Sequence, residues 1–183
     1  MEYKVMQQRP ADEAERLKKE IRVYNLLEKL DISYERVDHE ELHTMEACAR
    51  INELLDFTVC KNLFLCNSQK TDFYLLMMPG EKKFKTREIS KQINTARLSF
   101  AQEEYLLEFL DITPGSVSVL GLMNDKNKRV QLLIDEDILK NQYFGGHPCI
   151  NTSTLKLKVK DLTDKFLPEI EHDFIPVFLT GED

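Results

Sequence analysis

A single α/β domain, built on a mixed, largely antiparallel, curved sheet surrounded by helices, is the fold this sequence predicts. Three observations carry that expectation. The 183 residues suffice for one hydrophobic core and are too few for two full ones. Two apolar runs, 59–66 and 73–78, flank the turn-like stretch 67–72 as the strands of a hairpin do. Leu155, Leu157 and Val159 alternate with Lys156, Lys158 and Lys160, the period of a strand with one buried face. Hairpins interleaved with helical stretches give a sheet of mixed direction.

The elements follow in order. From Asp12 to Leu30, the apolar residues Leu17, Ile21, Tyr24, Leu27 and Leu30 recur at helical spacing, so an amphipathic helix is expected. Residues 33–37 read as a short strand and 38–43 as a polar loop. Thr44 is placed to cap a helix reaching about Leu55, with Glu46 in its positive first turn. Pro79-Gly80 ends the hairpin. Thr86 is expected to cap a short basic helix through Ile93, and Ser99-Phe100-Ala101-Gln102 has capping-box spacing ahead of a helix to about Leu110. Pro114-Gly115 is a turn, and 116–122 reads as a strand or a binding loop. A strand at 130–134, a loop at 144–148, a short helix at 161–167 and an extended piece at 174–178 complete the chain. No repeat, low-complexity tract or linker divides it.

Composition narrows the function. At 42% hydrophobic and 31% charged the chain reads as globular, and no apolar run approaches the roughly 20 residues that span a bilayer. The N-terminal residues lack a signal-peptide core, so a cytoplasmic protein without membrane contact is expected. Cys48, Cys60, Cys66 and Cys149 form no CxxC pair, which disfavours a zinc knuckle or a redox dithiol. Cys149, close behind His147 in a glycine-rich loop, leaves a Cys/His nucleophile pair open. His39 and His43, four residues apart, leave a metal site open beside the alternative of an ordinary polar loop. Walker, dinucleotide-fingerprint, GxSxG and HExxH patterns are absent from the sequence. The net charge of −7 argues against indiscriminate DNA or RNA binding. Its distribution is uneven: Lys82, Lys83, Lys85, Arg87, Lys91 and Arg97 face only Glu88 between 82 and 97, while acids dominate 161–183. A basic patch on an acidic chain suits a polyanion gripped in one place; a solvated helix face is the alternative.

Lys61 is the residue that most calls for explanation. It interrupts the apolar run 59–65, where an unpartnered ammonium is costly to bury. It either snorkels at an edge or holds an anionic or carbonyl group in a cleft. Gly115-Ser116-Val117-Ser118 offers consecutive backbone N–H groups and two hydroxyls, as an oxyanion cradle does, or is simply a turn. Gly145-Gly146-His147-Pro148 lets backbone approach a ligand closely beside an imidazole, and Asn151 and Thr152 are placed to reach hydroxyls or fix a tautomer of His147.

In this order, Thr44-Met45-Glu46-Ala47, Cys60-Lys61-Asn62-Leu63-Phe64-Leu65, Leu98-Ser99-Phe100-Ala101, Gly115-Ser116-Val117-Ser118, His147-Pro148 and Asn151-Thr152-Ser153-Thr154-Leu155 resemble the YbaK/prolyl-tRNA editing family, nearest its freestanding ProX-type deacylases. The resemblance spans 20–178, with 1–19 expected as an N-terminal helical extension. It implies a YbaK/ProX-like fold and hydrolysis of the ester between a wrong amino acid and the terminal adenosine of tRNA(Pro), without metal or cofactor. Alanyl-tRNA(Pro) is the implied substrate; cysteinyl-tRNA(Pro) hydrolysis, or a non-catalytic sensor of amino acid or charged tRNA, are the alternatives. Lys61 and His147 would be catalytic. Thr44, Gly115, Ser116, Val117, Ser118, Gly146, Asn151 and Thr152 would shape the substrate pocket, with Lys82, Lys83, Lys85 and Arg87 on the acceptor stem. The implied partners are mischarged tRNA(Pro) and a prolyl-tRNA synthetase. One departure stands out: the family's GxxxP loop carries Val119 where the proline is usual.

Overall fold

The computed structural model describes residues 3–41, 45–57 and 59–182, with backbone alone for 45–47. In chain order its strands are β1 (Val5–Met6), β2 (Glu35–Asp38), β3 (Cys60–Cys66), β4 (Phe73–Pro79), β5 (Ser99–Phe100), β6 (Val130–Asp135), β7 (Tyr143–Gly146), β8 (Ser153–Lys158) and β9 (Phe174–Val177). The helices are α1 (Lys18–Lys29), α2 (Met45–Leu55), α3 (Thr86–Gln92), α4 (Glu103–Leu110), α5 (Glu136–Leu139), α6 (Val159–Asp161) and α7 (Leu167–Glu169). The strands make two sheets rather than one. β1-β2-β8-β7 is antiparallel throughout, and β5-β3-β4-β6-β9 is mixed, with β6 parallel to both β4 and β9. The expected hairpin is present, Cys60 opposite Pro79 and Cys66 opposite Phe73.

Alternation along the hairpin sorts its side chains into two cores. Phe64, Cys66, Phe73, Leu75 and Met77 enter the main core with Tyr24 of α1, Phe109 of α4 and Phe144 of β7. Leu65, Leu76 and Met78 enter a second core, closed by Ile89 of α3 with Leu98, Val177 and Leu179. Strand β4 is therefore buried on both faces, which is why it reads as an uninterrupted apolar run. A third cluster joins Val37 to Ile51 and Leu55 and so seats α2 on the four-stranded sheet. No helix among the described residues is long and apolar enough to cross a membrane.

Local pattern misplaced several elements, each because a tertiary partner competed for the backbone. Thr86 is the first residue of α3, not its cap: Lys85 holds the cap position, and the Thr86 hydroxyl donates to Leu98 O at 2.8 Å. Ser99 does not cap a helix either. The free edge of β3 captures Ser99–Phe100 as β5, Ala101 N donates to Phe64 O at 2.9 Å, and α4 begins four residues later, at Glu103. The stretch 144–148, expected as a loop, contributes β7 through Gly146, because the apolar edge of β8 pairs with it. The helix expected from Asp12 is broken. A 3-10 turn over Glu13–Glu15 is followed by extended Arg16, whose guanidinium bonds Asp12, Glu20 and Asp38 at once. Among the described residues, 3–17 hold no α-helix, where a helical extension was expected: β1 pairs with β2, and α1 starts at Lys18. Between α6 and α7, Leu162–Phe166 forms a π turn ahead of Pro168, which has no N–H to donate.

The segment 116–122 is neither strand nor open loop. Ser118 caps a 3-10 helix over Val119–Asn124, its hydroxyl accepting from Leu120 N at 3.2 Å. Val119 stands at the first position of that helix, where a backbone N–H has no intrahelical acceptor and proline is favoured. Ser118, at φ −150° and ψ 144°, already has the extended backbone that precedes a proline. The valine is thus a mild departure. Val119→Pro is expected to raise stability by about 0.4–1 kcal/mol through the unfolded chain, read as a higher midpoint of urea unfolding. A lower midpoint would show that this turn needs the freedom or the donor of valine.

Candidate functional site

His39 and His147 meet where the four-stranded sheet runs under α2. By alternation along β2, His39 shares the face of Val37, which packs on Ile51 and Leu55 of α2. His39 N donates to Thr152 O at 3.0 Å. Its Nδ1 lies 2.8 Å from Glu40 O, and a carbonyl only accepts, so Nδ1 carries the proton. Nε2, 2.9 Å from Thr154 Oγ1, therefore accepts from that hydroxyl. With both ring nitrogens engaged, His39 is a structural clamp rather than an open metal ligand. His43 lies outside the described residues.

The same reasoning fixes His147. Its Nδ1 is 2.8 Å from Ser153 O, so Nδ1–H donates and Nε2 bears the lone pair. Nε2 makes no hydrogen bond among the described residues. The two imidazoles lie edge to face with centroids 6.2 Å apart. Burial lowers the pKa of both below the ordinary value, in His147 with further help from His39, so both are neutral at neutral pH. A neutral imidazole with a fixed tautomer and an unused Nε2 is equipped to accept a proton or a hydrogen bond.

The glycine loop closes on the segment that carries this ring. Thr113-Pro114-Gly115-Ser116 is a type II turn: Ser116 N bonds Thr113 O at 3.2 Å, proline is second, and Gly115 has φ +88°. A methyl group at Gly115 would lie 3.4 Å from Asn151 Nδ2, and one at Gly146 would lie 3.5 Å from Ser118 Oγ. The turn thus brings Gly115 against Asn151 and Ser118 against Gly146, joining motifs some thirty residues apart in sequence. The two serine hydroxyls are spent internally, that of Ser116 on Thr113 O at 2.8 Å and that of Ser118 on its cap. What the loop still offers are the N–H groups of Val117 and Ser118, which bond nothing among the described residues. Beside these loops a groove of about 490 Å³ is lined by His39, Thr113, Asn151 and Thr152 and by the Arg16–Glu20–Asp38 ion cluster. Thr44 lies outside the described residues.

A Cys149/His147 nucleophile pair is set aside by burial. Cys149 is fully buried at φ +63° and Cys60 is packed on the main core; burial pushes each thiol up to about 12, far from a thiolate at neutral pH.

Lys61 is exposed, not buried: it lies on the second-core face of β3, beyond Leu63, and Nζ donates to Lys82 O at 3.1 Å. No contact in the described structure joins it to His147. Lys82 differs from the other basic candidates. Its ammonium bonds both oxygens of fully buried Asp135, at 2.9 and 3.1 Å, and Asp137 at 2.7 Å. It is thus committed to holding the fold; Lys83 and Arg87 are exposed, and Lys85 caps α3 half-buried. Sequence reading missed His39 as a clamp, Thr154 as its support and Ser153 as the support of His147. The available signals were the alternation Val37-x-His39 and two hydroxyl residues opening a strand beside Asn151-Thr152.

The chain resembles known proteins in sequence and in fold. The family model described as aminoacyl-tRNA editing domain matches residues 39–165, a span from His39 to just beyond β8. The prolyl-tRNA editing protein ProX of Acetoanaerobium sticklandii is 31% identical over 137 residues, covering 74% of this chain and 83% of its own. The prolyl-tRNA synthetase associated domain-containing protein 1 of Danio rerio is 29% identical over 166 residues, covering 90% and 87%. In fold, the chain superposes on a protein proposed to be a trans-editing enzyme for prolyl-tRNA synthetase with a TM-score of 0.65, 16% identity and coverage of 89% and 98%. The hypothetical protein APE2540 gives 0.66, 13% identity, and 85% and 97%. Both superpositions speak to the fold alone. With the family model matching 39–165 and the ProX relative above 30% identity, the chain belongs to the aminoacyl-tRNA editing domain family and is an editing deacylase of that class.

Proposed function

We propose that the chain clears mischarged tRNA(Pro) in trans, alanyl-tRNA(Pro) above all, by hydrolysing the aminoacyl ester. The observation that carries this reading is the meeting of the Gly115–Ser118 turn, which keeps two unspent backbone donors, with Gly146, the neighbour of a neutral imidazole with an open Nε2. In the reaction, water adds to the ester carbonyl carbon. The N–H groups of Val117 and Ser118 are suited to receive the negative charge that develops on the carbonyl oxygen. His147 Nε2 accepts a hydrogen bond from the attacking water or from the ribose hydroxyl that orients it. The bond from carbonyl carbon to ribose oxygen then breaks, that oxygen takes the proton, and free amino acid and tRNA leave. Exposed Lys61 contributes a cation for the backbone of the terminal nucleotide, and prolyl-tRNA synthetase is the enzyme whose errors are corrected.

The physical need is plain. A synthetase pocket shaped for proline distinguishes a smaller side chain by only about 1–3 kcal/mol per missing methylene, so a second, smaller pocket supplies the remainder. The test is hydrolysis of alanyl-, cysteinyl- and prolyl-tRNA(Pro) by the purified protein. Rapid loss of the alanyl ester with the prolyl ester spared is the expected result. Preference for the cysteinyl ester would move the substrate, and no turnover of any ester by folded protein would sink the hydrolytic reading.

A further inference from the structure

Phe100 is the most exposed of the large apolar side chains in the described structure, at 66%. A single exposed phenylalanine is unremarkable in itself. This one has company. It lies on edge strand β5 opposite Leu65, and so on the same face of the sheet as Leu63 and Lys61. Half-buried Phe84 packs beside it, ring centroids 6.1 Å apart and planes tilted by 60°. The segment that carries Phe84 also carries Lys83, Lys85 and Arg87, and its backbone holds Lys61 through Lys82 O. Of the acids on these segments, Glu88 is engaged by the Thr180 hydroxyl and N–H, while Glu81, Glu103 and Glu104 are exposed.

Cations interleaved with outward aromatic faces are the chemistry of single-stranded nucleic-acid binding, because phosphates seek the charge and any base can stack. On a chain of net charge −7 such a face also orients an incoming polyanion. Lys61 and Leu65 are four residues apart on β3, so Phe100 stands about 13 Å along the sheet from Lys61 at about 3.3 Å per residue. We propose that Phe100 and Phe84, with Lys83, Lys85 and Arg87 beside them, form a stacking platform for the unpaired 3′ nucleotides of tRNA. This rests on the deacylase reading, in which the terminal adenosine lies near Lys61 and His147 and the nucleotides before it run outward along β3.

The experiment measures binding, not turnover. Fluorescence anisotropy is recorded with an uncharged acceptor-stem hairpin RNA ending in single-stranded CCA, and with the same hairpin lacking those three nucleotides. Phe100→Ala is expected to weaken the CCA hairpin by about 5–150-fold, Phe100→Tyr to bind like wild type, and the trimmed hairpin to bind all three alike. Equal affinity of Phe100→Ala and wild type overturns the platform, as does an equal loss on the trimmed hairpin. A change of self-association in sedimentation velocity, without a change in RNA affinity, also overturns it and makes this face a protein interface. Ester hydrolysis measured in parallel separates the two ideas. Phe100-dependent binding without hydrolysis would sink the deacylase reading alone, and hydrolysis with Phe100-independent binding would sink the platform alone.

Discussion

His147→Ala is expected to fold and to lose about 10²–10⁴-fold in kcat on alanyl-tRNA(Pro), the range for a positioned general base. Folding should survive because the substitution removes one hydrogen bond, to Ser153 O, worth about 1 kcal/mol. Single-turnover hydrolysis under saturating enzyme, with a thermal melt as control, checks both halves. A variant that keeps the wild-type kcat would remove His147 from the chemistry. The pH profile adds a signature. Burial lowers the His147 pKa, so the neutral, working form persists below pH 6.5, and the rate falls only on the acid side of that value. The variant is expected to lose that acid limb. Stability has the same sign: the unfolded chain takes up protons first, so the stabilisation from neutral His39 and His147 is full above pH 6.5. It is lost as pH falls from there through the lowered folded values.

Asp135→Ala is expected to be strongly damaging, costing about 3–5 kcal/mol, because it strips the Lys82 ammonium of its buried partner, leaving it half-exposed Asp137 alone, and orphans the N–H groups of Asp137 and Leu179. Asp135 has no exposure at all. Besides both contacts from Lys82, it accepts from Asp137 N at 2.9 Å and from Leu179 N at 3.1 Å. One carboxylate thus ties together the loop after β4, the start of α5 and the C-terminal segment, where Leu179 closes the second core. For a chain of this size the loss is worth a drop of roughly 6–20 °C in melting temperature. A fall of a degree or two would mean that water replaces the carboxylate freely. The pair also decides how RNA contacts are to be probed. Reversing Lys82 would break this hub and lower activity through the fold, so charge reversal for salt-dependent KM belongs at Lys83, Lys85 and Arg87.

The order of short motifs was enough to place the chain in its family, because each marks a local requirement. Gly115 occupies a turn position at positive φ, and a proline after His147 and an apolar β3 after Lys61 are likewise readable in isolation. The hairpin and β8 were legible for the same reason: their period is set by one or two buried faces, and burial acts residue by residue. The edge strands β5 and β7 were not, although the edge strand β9 was expected as an extended piece. Ser99–Phe100 and Tyr143–Gly146 are strands because a neighbouring strand offers unpaired backbone groups, a fact that no local window contains.

The site divides along the same line. The sequence by itself determined which residue types bear the chemistry: an imidazole, a glycine turn and a lysine in an apolar strand. Tertiary structure alone decided their states. It set the His147 tautomer through Ser153 O and clamped His39 with Thr154. It spent the Ser116 and Ser118 hydroxyls on their own turn and brought Lys61 to the surface. It also assigned Lys82 to Asp135 instead of to RNA. The reason is physical: residue identity fixes what a group can donate or accept, whereas protonation, pairing and exposure depend on neighbours that only the folded chain brings within hydrogen-bond distance.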